Sequence, residues 1–426
     1  MNIKETKDYI AEGRLSSQFE TLYGEKENSA KRYLAACDSF AELYSADRDV
    51  KLFSAPGRTE VGGNHTDHQH GCVLAGSVNL DVIAVVSENN DNIVRIKSEG
   101  FPMDEIDLNS LSPIESEVGK AASLIRGMCG IMKDMGYTVS GFDAYTTSNV
   151  LKGSGLSSSA AFEVLIGVII SNMFNGGKAD AVTIAKIAQK AENIYFGKPC
   201  GLMDQMASSV GGFTTIDFND IENPVIKKVD FSISNQGYAL CIVNTGGNHA
   251  DLTQDYADIT VGDKKVSEFF GKNYLREVEE SDFFANIKDL REKCGDRAVL
   301  CALHFFADNK RAQDEGKALE QGDFNKFLNL INESGNSSFK YLQNVYSNRF
   351  PDEQGLSLAL ALTEKFLGGK GACRVHGGGF AGTIQAFVPK DILDEYKNMI
   401  ESVFGEGNCY ILNIRPVGGY YSRLNS

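Results

Sequence analysis

Tryptophan is absent from this 426-residue chain, and proline occurs only 8 times. So little proline, with no fixed repeat, excludes collagen-like and mucin-like classes. No run of Lys and Arg exceeds two residues, and Asp plus Glu (57) outnumber Lys plus Arg (42) for a net charge of -15. An acidic chain without a basic patch repels nucleic acid and anionic lipid, so neither is expected as a partner. A polyanionic ligand such as a nucleotide then needs backbone N–H groups, a metal ion or a few basic side chains. Long uncharged apolar runs are missing too. The best candidate, residues 160–174, is too short for a membrane span and contains Glu163. The N-terminal MNIKETKDYIAEGRL has no apolar core and does not read as a secretory signal. The nine cysteines are odd in number, scattered, and form no C-x-x-C pair, which suggests reduced thiols and a cytoplasmic location.

What is present is ordinary for a folded protein: 42% hydrophobic and 23% charged residues. The length suggests two or three domains at about 150 residues each. Helical spacing is expected over 29–45, 119–135, 157–174 and 181–195. Beyond residue 260, helices are expected near 261–272, 284–294, 299–320, 323–345, 355–367 and 391–404. Strands are expected at 50–54, ending in a turn at Ala55-Pro56-Gly57, and at 142–147, 211–217, 238–244, 371–376, 382–388 and 408–414. Residues 78–87 and 93–98 read as a hairpin around the polar run 88–92. The polar segment 218–236 is the expected boundary between a unit at 1–225 and one at 226–426. Without regular strand–helix alternation, the class is α+β.

Four segments carry chemistry. Gly153-Ser154-Gly155-Leu156-Ser157-Ser158-Ser159 joins a strand to an apolar helix. Its glycines allow tight turns, and the helix start offers unpaired N–H groups to phosphate. Lys152 adds charge, and Glu163, one turn on, can complete a Mg²⁺ site with Ser158 or Ser159. The same loop also reads as a flexible cap on a core helix. The Walker pattern is absent. The segment 55–71 crowds Arg58, Glu60, Asn64, His65, Asp67, His68 and His70 together. A core segment could not satisfy so many polar groups, so the choices are a binding loop, a solvated loop or a histidine metal site. In Val375-His-Gly-Gly-Gly-Phe-Ala-Gly-Thr383 the glycines satisfy G-x-G-x-x-G, but a strand rather than a helix follows. A dinucleotide fingerprint is therefore disfavoured against a ligand-approaching loop or a strained hairpin turn. Asp204, in Cys200-Gly-Leu-Met-Asp-Gln205, follows a Pro/Gly break and reads as a helix cap or a general base.

Taken in order, these segments resemble the GHMP small-molecule kinases and, within them, the galactokinase family, over about residues 50–415. Gly-Ser-Gly-Leu-Ser-Ser-Ser-Ala matches the second GHMP motif, and Arg374-Val-His-Gly-Gly-Gly-Phe-Ala-Gly382 the third. Ala55-Pro-Gly-Arg58 with Gly63-x-His65-Thr-Asp67 matches the galactokinase signature. Cys200–Gln205 resembles the catalytic segment, and 244–256 the sugar-binding stretch. The signature departs at four positions. The family has Asn where this chain has Glu60, an aliphatic residue at Gly62, Glu at Asn64 and Tyr at His68.

The resemblance implies two lobes, an N-terminal one like ribosomal protein S5 and a ferredoxin-like C-terminal one. The last strand can return to the first lobe. Residues 1–45 would be a helical extension, expected to pack on the second lobe. The implied reaction transfers the γ-phosphoryl of MgATP to the anomeric hydroxyl of a hexose, galactose first, giving galactose 1-phosphate. Asp204 would act as base, with Arg58 keeping it ionised and stabilising the moving phosphoryl group. Asn64, His65, Asp67, Tyr256 and Gly378 would bind sugar, and 153–159 would bind nucleotide. Loss of the family's acid at Asn64 leaves galacturonic acid open as substrate, beside N-acetylgalactosamine. A catalytically silent, sugar-sensing regulator is the rival of a different class. A monomer or weak homodimer is expected.

Overall fold

A computed structural model describes residues 1–150, 155–247 and 252–424. Two sheets organise it. The first is built on a long antiparallel pair, β1 (Lys51–Gly62) and β2 (Cys72–Glu88). To these it adds β3 (Ile93–Ser98), β4 (Met103–Asp107), β5 (Phe142–Ser148), β6 (Phe213–Asp217) and β7 (Val225–Val229). The second sheet holds β8 (Tyr238–Asn244), β9 (Ala372–His376), β10 (Thr383–Pro389) and β11 (Cys409–Leu412), in the order β11-β8-β10-β9. The terminal strand β12 (Tyr420–Ser422) leaves that lobe and pairs with β1. The α+β class and the two-lobed arrangement follow directly.

Three expectations are corrected. No turn forms at Ala55-Pro56-Gly57; β1 runs through it with a register shift between Pro56 and Arg58. The irregularity lets proline stay in a paired strand. Gly57 is needed because a Cβ there would lie 2.8 Å from the Leu156 carbonyl. Next, 78–87 and 93–98 are not hairpin partners. β5 lies between them, antiparallel to β2 and parallel to β3. The apolar helix Ala121–Asp134 supplies the connection that parallel pairing demands. Finally, the N-terminal helices Ile3–Ala11, Ser16–Tyr23 and Glu27–Leu43 cover the first sheet, not the second lobe. Phe19, Tyr33 and Phe40 pack there with Leu52, Ile83 and Val85, all nearly inaccessible. Each such burial stabilises by about 1.5–3 kcal/mol. Residue 225, the expected boundary, is the first residue of β7, which pairs with β6.

The central helix Ser158–Phe174 has no polar face, and is buried along most of its length. Helix Asp296–Glu320 runs across the lobes, with Gly316 against Thr215 of β6 and His304 reaching Asn64. These two helices fix the ends of the loops that carry the polar segments. No helix among the described residues is long and apolar enough to cross a membrane. The nine cysteines are all free thiols.

Candidate active site

Arg58 leaves β1 beside the start of the central helix. Its backbone N–H donates to the Leu156 carbonyl at 2.9 Å, and its guanidinium donates to the Gly155 carbonyl. Nε and Nη2 both reach Asp204 Oδ1, at 2.7 and 2.6 Å. Asp204 sits in the first turn of helix Met203–Val210, where the helix dipole favours a carboxylate. Ser208 of the same helix donates to the Pro56 carbonyl at 2.5 Å, which locks the pair together. The Asp204 side chain is 30% exposed, so it meets solvent while Arg58 is held.

Gly155 and Ser157 have left-handed φ of 71° and 54°, which bends the chain into the helix at Ser158. Lys152, Gly153 and Ser154 lie outside the described residues. Ser158 and Ser159 end a cleft of about 800 Å³ whose walls include Leu124, Phe162 and Phe196. Ser159 donates to Glu192 at 3.3 Å. Gln205 Nε2 bridges Glu192 and Glu163, at 2.7 and 3.2 Å. Glu163 Oε1 is buried without a partner. Burial, then Glu192, pushes the Glu163 carboxyl well above the usual range. Glu192 was absent from the sequence reading. Its signal was available, an acid a few residues before the Gly-Lys-Pro-Cys-Gly break.

The loop after β1 forms the facing wall. Thr66 closes it, its hydroxyl lying 2.8 and 2.7 Å from the Gly63 and Cys72 carbonyls, which share its one proton. His65 takes a left-handed φ of 58°, a conformation that costs energy and clusters at functional positions. Its Nε2 meets the Gly378 carbonyl at 2.8 Å. A carbonyl only accepts, so Nε2 carries the proton and Nδ1 is an acceptor. Burial, then His68, lowers the His65 pKa to about 4, so the ring is neutral at pH 7. Tyr256 lies roughly parallel to His65 at 6.5 Å and donates to the Gly379 carbonyl at 2.9 Å. Gly378 is required here, since a Cβ would fall 2.5 Å from the Tyr256 ring. Asp67 rests against the turn that precedes Asp204, where a Cβ on Gly201 would lie 2.6 Å from its Oδ2. Burial alone would raise the Asp67 carboxyl, but the hydrogen bond and charge of His68 outweigh it and hold it low. His70 leaves the group and stacks on Tyr274 at 3.6 Å. The glycine-rich segment is a hairpin between β9 and β10, with Phe380 at a φ of 62°.

Asn64 departs from its expected role. It is fully buried, and its amide is fully used inside the protein. Nδ2 donates to Glu60 at 2.9 Å and to the Gly377 carbonyl at 2.8 Å. Oδ1 accepts from Asn344 at 2.8 Å and Ser338 at 3.2 Å. With two donors and two acceptor sites occupied, it offers a ligand nothing. It braces the loop against the hairpin instead. Its partner explains why: Glu60 and Asn64 are the family's Asn and Glu exchanged, and they touch. The carboxylate is relocated, not lost. Arg374 donates to it at 2.9 Å. An acid thus stays beside position 64, and the change there does not by itself favour galacturonic acid.

The Gly62 departure has a cause as well. A Cβ there would lie 1.6 Å from Glu315 Oε2, so Glu315 fills the space of the family's aliphatic side chain. Both Glu315 oxygens are buried without partners, and burial pushes the carboxyl well up. Gly62→Val should therefore cost about 2–3 kcal/mol by overpacking. Adding Glu315→Ala should recover most of that loss in a denaturant melt. Simple addition of the two single effects would show that these residues do not share the space.

Residues 118–212 match the family described as GHMP kinases N terminal domain, and 38–88 match the galactokinase galactose-binding signature. A galactokinase from Streptomyces coelicolor is 28% identical over 372 residues, covering 86% of this chain and 92% of its own. One from Clostridium tetani is 29% identical over 389 residues, covering 90% and 93%. Lactococcus lactis galactokinase, solved with galactose, superposes with a TM-score of 0.76 at 25% identity, covering 90% of this chain and 98% of that one. A mevalonate kinase from Methanococcus jannaschii shares the fold alone, with a TM-score of 0.61 at 14% identity.

Proposed function

This chain belongs to the GHMP kinases, in their galactokinase family, and from that premise we propose that it phosphorylates the anomeric hydroxyl of galactose from ATP. It is a carbohydrate kinase. The observation that carries the site assignment is the Arg58–Asp204 pair, which lies beside the phosphate loop.

ATP is the phosphoryl donor. Its base fits the cleft lined by Phe162 and Phe196, and its phosphates meet the loop at 155–159 and the N–H groups of the helix start. The sugar fits against His65, Asp67, Tyr256 and Gly378. His65 Nδ1 accepts a sugar hydroxyl, and ionised Asp67 accepts others. Asp204 takes the proton of the attacking hydroxyl or orients it. Arg58 holds Oδ1 and faces the charge that moves with the phosphoryl group. Positioning and charge neutralisation supply most of the rate in such transfers.

Mg²⁺ suits the oxygen set at Ser159, Glu192 and Glu163. Two carboxylates that repel each other when empty, one with an unpartnered oxygen, match a cation that takes one or two carboxylates and keeps its remaining sites for phosphate and water. Bound there, it neutralises phosphate charge.

The test is ADP formation with MgATP against galactose, galacturonic acid, N-acetylgalactosamine and glucose. Turnover is expected with galactose and not with galacturonic acid. Preference for galacturonic acid would overturn the sugar assignment. Galactose bound without any turnover would make the chain a sensor.

A further inference from the structure

The fourth departure from the galactokinase signature, His68, has no role in the reading above. Its surroundings are unusual. Nδ1 lies 3.2 Å from Asp67 Oδ1, and Nε2 lies 3.9 Å from Asp263 Oδ2 on helix Thr253–Phe269. Nε2 is buried without a hydrogen-bond partner, and so is Asp263 Oδ1. Asp263 is 2% exposed. A carboxylate so placed is costly unless a cation faces it. A tyrosine, the family's residue at this position, could not supply one. A movement of about 1 Å would bring Nε2 within hydrogen-bond distance of Asp263.

We propose that His68 and Asp263 are positioning residues for the sugar: His68, protonated between two carboxylates, fixes the orientation of Asp67, and Asp263 is the buried countercharge that holds the proton on His68. This rests on the galactokinase reading, in which Asp67 receives sugar hydroxyls. The other ionisable groups facing the trio are few. His65 approaches His68 edge-on at 5.4 Å and is neutral. Glu60 of β1 adds negative charge, which favours the imidazolium. From helix Asp296–Glu320, Arg297 attracts Asp263, and Cys301 lies beside them. Burial opposes a charge on His68, but the bond and charge of Asp67, with Asp263, outweigh it and raise its pKa. Burial pushes Asp263 up to about 7, against the pull of His68 and Arg297, so its countercharge is complete only above that value.

The sign follows. A raised imidazole pKa keeps the proton to higher pH than a free imidazole does and releases it as pH rises through the raised value. The neutral imidazole keeps the one N–H that faces Asp67 but loses the positive charge beside it, so Asp67 is held less firmly and galactose binds more weakly on the alkaline side. The experiment measures kcat and KM for galactose against pH in the wild-type chain, Asp263→Asn and His68→Tyr. In parallel, ¹H–¹⁵N NMR titrates the histidines of the wild-type and Asp263→Asn chains without ligand.

In the wild type, KM should climb above the His68 midpoint, by up to about tenfold per pH unit, with kcat flat across the same step. Asp263→Asn should move the KM step and the NMR midpoint to lower pH together. His68→Tyr should remove the step. A flat KM in a chain that turns over galactose would overturn the proposal, as would an NMR midpoint indifferent to Asp263→Asn. Absence of galactose turnover in the wild type would instead overturn the functional reading. The NMR midpoint would still decide whether Asp263 holds the proton.

Discussion

Asp204→Ala should abolish phosphoryl transfer while galactose still binds. The loss expected for a positioned general base is about 10²–10⁴-fold in kcat. It should reach the upper part of that range, because the change also frees the guanidinium of Arg58 from its anchor at Oδ1. Arg58 would keep its link to the Gly155 carbonyl, so the phosphate loop should remain in place. Galactose affinity should change little, since His65, Tyr256 and Gly378 hold one another without Asp204. Asp204→Asn separates the two contributions. Its amide oxygen can still accept from Arg58 but cannot take the proton. Turnover and galactose titration on both variants check this. Near-normal turnover in Asp204→Ala would remove Asp204 from the chemistry.

On the opposite side of the first sheet, Asp81→Ala should cost about 3–5 kcal/mol of stability. Asp81 is fully buried and forms ion pairs with Arg32 and Arg415. Tyr23 donates to it at 2.7 Å, and Ser54 donates as well. Alanine would leave the buried guanidinium of Arg415 and the partly buried one of Arg32 facing each other with no anion between them. The wild-type protein should also be acid-sensitive through this group. Burial alone would raise the Asp81 carboxyl, but Arg32 and Arg415 outweigh it and hold it low. A depressed carboxylate stabilises fully above its unfolded value of about 3.9, and the contribution disappears as pH falls through the lower folded value. Denaturant melts at pH 7 and under acid would show both effects. A loss below about 1 kcal/mol would mean that the two arginines find other partners.

The central helices and most strands were legible because their hydrophobic period is local. Strand neighbours were not. Residues 78–87 and 93–98 look like a hairpin to any local reading, and only the crossover to 142–148 separates them. β7 was hidden in a polar stretch because both its faces are largely exposed, so it carries no alternation. Within the candidate site, glycine-rich, charge-dense segments point to Arg58, Asp204, His65, Asp67 and Gly378, residues that line one region of the structure. Asn64 carried the same signal and turned out to be a brace. The four partners of its side-chain amide come from 60, 338, 344 and 377, and no spacing rule connects those positions. Glu315 explains Gly62 across a similar gap.

The pairing of β12 with β1 bears on how the chain is made. β1 leaves the ribosome well before the strand that covers one of its edges, with the whole second sheet made between them. Arg415, which closes the charge cluster around Asp81, arrives equally late. Until then the nascent first lobe has an open strand edge and an interior acid paired with only one of its two arginines, Arg32. Such an edge is a template for pairing with another chain. The prolonged exposure makes aggregation during synthesis, more than unfolding of the finished protein, the stage at which chaperones would matter most for this kinase.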